Sequence, residues 1–102
     1  MRIGTWNVEY AAGSEKNAKR MEIIRANPAD VWVLTETHDD LDLSATHSAI
    51  HSHQRTAKRE GARWVSIWST FEVLYRIEVV DPERTAAAML NTPLGLMVVY
   101  GT

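Results

Sequence analysis

The chain has 102 residues, a formal net charge of -2, 45% hydrophobic and 24% charged side chains, and no cysteine. This composition is that of a globular body of one domain rather than a disordered chain, and it excludes disulfides and thiolate metal sites. No apolar run approaches the roughly 18 residues of a membrane helix and the first residues lack a signal-peptide core, so a cytoplasmic protein is expected; the small negative charge argues against nucleic-acid binding by bulk charge, but not against phosphate chemistry assisted by a divalent cation.

The chain opens on residues 2–9, whose β-branched and aromatic content predicts a strand. Ser14 is a candidate N-cap for a helix over 15–26, with Ala18, Met21, Ile23 and Ile24 on its apolar face. Pro28 stops that helix, because the residue before a proline is pushed out of the helical region. The short apolar run Val31-Trp32-Val33-Leu34-Thr35 reads as a buried strand. Residues 43–60 are polar and fit either a helix or a long loop. Trp64–Trp68 alternates as a strand does, and 75–80 is a further candidate. Segments 84–90 and 95–100 flank Asn91-Thr92-Pro93-Leu94 and read as a hairpin. A strand–helix–strand opening followed by antiparallel strands predicts a layered α/β fold.

Chemistry concentrates at two strand ends. In Trp6-Asn7-Val8-Glu9, a strand would project Asn7 and Glu9 to one face. In Leu34-Thr35-Glu36-Thr37, Glu36 follows a buried strand at a sheet rim, where α/β folds place ligands. If the two strands are neighbours, Asn7, Glu9 and Glu36 converge. Oxygen donors with one or two carboxylates suit Mg²⁺ or Mn²⁺.

These residues carry a resemblance. Gly4-Thr5-Trp6-Asn7-Val8, one intervening helix, and Ala29–Thr37 ending in Thr35-Glu36-Thr37 resemble the first two motifs of the endonuclease/exonuclease/phosphatase superfamily, the metal-dependent phosphodiesterases similar to DNase I and exonuclease III. Gly61–Ser69 and Gly95–Gly101 look like two of its later strands. The resemblance implies a four-layer α/β sandwich of two mixed, mainly antiparallel sheets with outer helices, of which residues 1–102 form the amino-terminal part. It implies that Glu36 binds the catalytic Mg²⁺ (or Mn²⁺) and that Asn7 lies at the metal and phosphate site, with Glu9 a further metal candidate. It also implies hydrolysis of a phosphoester, nucleic acid among the candidate substrates. Thr35 stands where the family usually has Gln. The family's general base, second Asn and Asp-His pair have no counterpart in this sequence, so little activity is expected from this chain alone. The alternative is a non-catalytic α/β binding module.

Other features have plainer readings. His38, His47, His51 and His53 fall close together, with His47 and His51 spaced for one helix face or a zinc site. Arg55, Lys58, Arg59 and Arg63 form the densest basic stretch, suited to phosphates or to an exposed face. Trp6, Trp32, Trp64 and Trp68 read as core or rim packing. Gly95–Tyr100, as an unpaired edge, would invite self-association.

Overall fold

The computed structural model describes every residue except Ala11, Ala57 and Arg59. Seven strands and one helix follow in the order β1 (Ile3–Asn7), α1 (Ser14–Ala26), β2 (Val31–His38), β3 (Ser48–His51), β4 (Ala62–Ser69), β5 (Glu72–Arg76), β6 (Ala86–Thr92) and β7 (Gly95–Gly101). The first four strands form a mixed sheet in the order β1-β2-β4-β3, and the last three an antiparallel sheet in the order β5-β6-β7. β1 and β2 are parallel, with Ile3 opposite Val31 and Asn7 opposite Thr35. A parallel pair needs a crossover, and α1 supplies it.

The two sheets pack face to face. Val31, Val65 and Ile67 of the mixed sheet meet Ala86, Ala88, Leu90 and Val99 of the antiparallel sheet in one buried cluster. The opposite face of the mixed sheet carries a second cluster, built from Trp32, Leu34 and Trp68 with Ile24 of the helix. Among the described residues the layers are therefore helix, mixed sheet and antiparallel sheet, which is the expected α/β sandwich in part. Trp32 and Trp68 are core residues, as expected. The Trp32 ring lies across Gly4: a Cβ there would sit 2.4 Å from the ring, so only glycine lets β1 and this ring share the space.

Several details depart from the sequence reading. The helix begins one residue earlier, at Ser14, and Gly13 is its cap, at φ 92° and with no side-chain cap bond. The Gly13 amide instead donates to Asp40 Oδ2 at 2.8 Å. The buried face of α1 is narrow. Ile24 and Asn17 are buried, whereas Ile23 is 49% exposed and Ala18 is exposed. What closes the core instead is the segment after β2, where Leu41 and Leu43 are 1% and 2% exposed. The alternation Asp40-Leu41-Asp42-Leu43 thus places its leucines inward and its carboxylates outward. Residues 43–60 are not helical where described: they contain β3, which pairs with β4. The strand expected over 75–80 is shifted to Glu72–Arg76, with a register irregularity between Val73 and Tyr75.

β7 has no further strand partner among the described residues. Leu96, Val98 and Tyr100 on its outer face are exposed, as is Ile3 on β1. No helix among the described residues is long and apolar enough to cross a membrane.

The histidines are dispersed by this topology. His47 precedes β3 and His51 lies within it, so they share no helix face. His38 Nε2 lies 2.8 Å from the Glu60 carbonyl, and His47 Nε2 lies 3.0 Å from the Ala29 carbonyl. His51 Nδ1 lies 2.7 Å from Ser66 Oγ, and its ring meets Trp68 edge-on. Burial pushes the His51 pKa down, helped by the nearby Arg63 charge.

Two measurements test this packing. Leu41→Ala should cost about 2–5 kcal/mol in urea denaturation, the range for a leucine emptied from a closed core, while Ile23→Ala on the exposed helix flank should stay within about 0.5 kcal/mol. Because the folded-state pKa of His51 is depressed, the unfolded chain takes up its proton first. Stability should therefore fall as pH drops through about 6.5, and His51→Gln should flatten that part of the profile.

Candidate functional site

The parallel pairing of β1 and β2 decides where the candidate residues lie. Asn7 sits opposite Thr35 at the last pair of the ladder. The ladder then continues past the end of β1: the Val8 amide donates to the Thr35 carbonyl at 2.9 Å, and the Tyr10 amide donates to the Glu36 carbonyl. Asn7 and Glu36 are thereby brought to adjoining positions at one rim of the mixed sheet. Arg20 fixes the rim from the helix, its Nε donating to the Val8 carbonyl at 3.1 Å.

Glu9 is placed differently from the expectation. The strand ends at Asn7, and Glu9 and Tyr10 turn away at φ 56° and 55°. The projection of Asn7 and Glu9 to one strand face therefore does not hold, since that rule needs extended backbone. Instead the Glu9 amide donates to Asn7 Oδ1 at 3.0 Å, an Asx-type turn that holds the Asn7 side chain at the rim. Glu9 is exposed, and Glu36 is half-buried.

Glu36 is not at a strand end as the sequence suggested. β2 continues through it to His38, but Glu36 takes φ 48°. Among the described residues, the non-glycine positions with positive φ are Glu9, Tyr10 and Glu36. All three are joined at this one rim, so the backbone strain of the structure is collected at the candidate site.

The neighbours of Glu36 were not singled out from the sequence as site residues. On one side is Tyr10. On the other, β4 pairs Thr35 with Val65 and Thr37 with Arg63, which brings Trp64 level with Glu36. The Tyr10 and Trp64 rings meet edge-on at 6.1 Å between centroids. Arg55 spans them: its guanidinium lies 3.7 Å from the centre of the Trp64 ring and donates to the Tyr10 hydroxyl. Burial pushes the Tyr10 phenol above its ordinary value and the Glu36 charge adds to this, while Arg55 opposes both. The signal for this cluster in the sequence is limited to the aromatic and basic residues Arg55, Lys58 and Trp64, whose pattern alone fits packing or an exposed face equally well.

A separate concavity of about 650 Å³ opens beside β3 and is lined by Asp39, Asp42, His51 and Arg63 among others. Neither Asn7 nor Glu36 lines it. Its strongest charges are mutually satisfied, since Arg63 makes two 3.0 Å hydrogen bonds to the Asp39 carboxylate.

The donor set at the rim can be tested against the expected cation. The Glu36 carboxylate and the Asn7 amide oxygen are hard oxygen donors, the type that Mg²⁺ takes alongside retained waters and substrate phosphates. No group of three His, Asp or Glu side chains among the described residues converges to hold a metal. Among the described residues the rim therefore forms no closed protein cage for a metal.

The architecture is that of an α/β sandwich of the DNase I-like kind, present in part. The particular likeness is to a crystal structure of an endonuclease/exonuclease/phosphatase from Beutenbergia cavernae DSM 12333, with a TM-score of 0.64 and 18% sequence identity over 98% of this chain. The chain spans 37% of that structure's length. No protein-family model matches the sequence, and no curated protein matches it significantly.

The strained position yields a measurable expectation. A side chain in the left-handed region costs about 1–2 kcal/mol, and glycine returns part of that through its extra freedom when unfolded. Glu36→Gly should therefore unfold at the same urea concentration as the parent, or be more stable by up to about 1 kcal/mol. A loss larger than this would mean that the Glu36 side chain is part of the fold's stability rather than a group held in place by it.

Proposed function

We propose that Glu36 and Asn7 are this chain's share of a divalent-metal-dependent phosphoester hydrolase centre, using Mg²⁺ or Mn²⁺, with Glu9 as a peripheral third donor. The observation that carries the reading is the parallel β1–β2 register, which sets Asn7 beside the strained Glu36 at one rim. The fold likeness to an endonuclease/exonuclease/phosphatase supports it. When bound, the cation supplies Lewis-acid polarisation of a phosphoryl oxygen. The chain's own residues do the rest: Glu36 offers an anionic oxygen, and Asn7, held through the Glu9 amide, presents its side-chain amide to the cation or to a phosphate oxygen. A phosphoester is the substrate class, with nucleic acid as one member.

Catalysis also needs a positioned base, worth about 10²–10⁴ in rate; among the described residues this rim offers no histidine, and its carboxylate besides the half-buried Glu36 is the exposed Glu9. The 102-residue chain is therefore a metal and phosphate binder with little turnover of its own.

Mg²⁺ titration with a thermal-shift readout tests the site. At a hundredfold excess over Kd, binding to the folded state should stabilise by about 2.7 kcal/mol. Glu36→Ala should abolish the shift, and Asn7→Ala should weaken it. A shift that survives Glu36→Ala would remove Glu36 from the metal site. A shift without turnover of a phosphodiester substrate is the expected pattern for this chain. Fast turnover abolished by Glu36→Ala would retain the site and overturn the claim of low activity. No shift at all would favour the non-catalytic module.

A further inference from the structure

The basic stretch flagged in the sequence separates into different fates in the structure. Arg63 is consumed by Asp39, and Arg59 lies outside the described residues. Arg55 and Lys58 remain, and among the described residues neither has a carboxylate partner. For Lys58 this is unremarked surface chemistry, since it is exposed. For Arg55 it is not. The side chain is half-buried, and its buried Nε has no hydrogen-bond partner. A guanidinium partly withdrawn from water with no carboxylate in ion-pair contact is costly, and an anion that reaches it lowers that cost.

The direction from which that anion would come is also defined. The Trp64 ring and the Tyr10 hydroxyl orient the Arg55 guanidinium, and these two residues stand on either side of Glu36 in the backbone pairing. Lys58 Nζ lies 5.4 Å from the Tyr10 ring centroid, on the same group. Arg84 adds a third cation, 5.5 Å from the Trp64 ring, but it is largely exposed and has Asp81 at 3.9 Å. The other carboxylate of this neighbourhood, Glu83, is occupied by the Thr56 amide and hydroxyl. That contact anchors the loop carrying Arg55 rather than neutralising its charge.

We propose that Arg55 and Lys58 form an anion subsite beside Glu36 that takes the phosphate oxygens of a phosphoester ligand, with Trp64 and Tyr10 as the positioning residues that aim Arg55. This rests on the reading of Glu36 and Asn7 as the metal and phosphate rim, and it names the protein groups that bring the anion there. A planar, forked guanidinium held over an indole suits phosphate oxygens. It also accounts for how a chain of net charge -2 could hold a polyanion: the positive charge is local and pre-aimed rather than spread over the surface.

The test is carried out in EDTA, so that any metal contribution is absent. Binding of a fluorescent single-stranded oligothymidylate is followed by anisotropy at several salt concentrations. Lys58→Gln and Arg55→Gln should each weaken binding about tenfold, the scale of one charge-assisted hydrogen bond. Each should also lower the salt slope by about 1. Arg25→Gln, which removes an equal charge from the exposed far end of α1, should leave both unchanged. Lys58 is exposed, so its variant keeps the test valid even if Arg55→Gln unfolds. Arg55→Lys, which retains charge but not the fork, should recover less than half of the loss. Competition with inorganic phosphate separates the two sources of the anion. Displacement at comparable concentration indicates a free phosphate group, and much weaker displacement indicates a nucleic-acid strand. Equal affinity for the Lys58, Arg55 and Arg25 variants would overturn the proposal. That failure is distinct from failure of the metal rim, which shows as a missing Mg²⁺ response while the EDTA binding pattern persists.

Discussion

The structure depends first on the backbone ladder between β1 and β2. Its five registered pairs run from Ile3–Val31 to Asn7–Thr35, and two further amides extend it to the carbonyls of Thr35 and Glu36. Because the pair is parallel, the end of β1 lies level with Thr35 and next to Glu36 of β2, so Asn7 and Glu36 share a rim. An antiparallel pair of the same strands would put Asn7 and Glu36 at opposite ends. The helix between them follows from this requirement, and so does the demand for Gly4, since β1 can lie in register only if the Trp32 ring passes over it without a Cβ in the way.

The two faces of that sheet are closed by different means. Toward the antiparallel sheet, small residues suffice: Ala86 and Ala88 on β6 are fully buried against Val65 and Ile67, which allows close sheet-to-sheet packing. On the other face, α1 alone buries too little, because few of its side chains point inward. The Leu41–Leu43 segment completes the cover. The outer face of β7 and the inner face of β1 are left more open, with Leu96, Val98, Tyr100 and Ile3 exposed. Ile3 and Thr5 alternate with Gly4 and Trp6 and so lie on the same side of the sheet as Val31 and Val33. The antiparallel sheet therefore covers the centre of the mixed sheet but not its β1 margin.

Much of this was legible in the sequence, and the exceptions have physical causes. A continuous apolar run identified β2, which is covered on two faces, and alternation over Trp64–Trp68 identified β4. The turn chemistry of Asn91-Thr92-Pro93-Leu94 located the last hairpin. Asn7 and Glu36 were singled out because each was read as closing a strand, although β1 is only half-buried and β2 runs on through Glu36 to His38. What escaped detection was set by contacts distant in sequence. Leu41 and Leu43 were overlooked because they alternate with Asp40 and Asp42, and a polar average hides a two-residue period. β3 was missed because a four-residue strand in a histidine-rich stretch has too short a pattern to register. The shared projection of Glu9 with Asn7 was misread because extended backbone was assumed for residues that adopt left-handed values. Arg55 could not be separated from Arg63 by sequence, since the difference between them is Asp39 in the turn after β2.

The strain at the rim gives these contacts a common meaning. A residue such as Glu36 in the left-handed region would relax if the chain around it were free to do so. It is held instead from several directions: by β4 through Thr35 and Thr37 on either side, by the Tyr10 amide on its carbonyl, and by Arg20 on the carbonyl of Val8. Tyr10 is itself held by Arg55, and Arg55 by Trp64. The restraints thus run in a closed circuit from β1 through β2 and β4 and back across an arginine that has no counter-ion among the described residues. A fold whose only need was stability would place a residue without a β-carbon at Glu36 and a neutral side chain at Arg55. Retaining a strained carboxylate and a guanidinium without an ion-pair partner on either side of one tyrosine is a local cost, and the proposed roles, a cation at Glu36 and an anion at Arg55, are what would offset it.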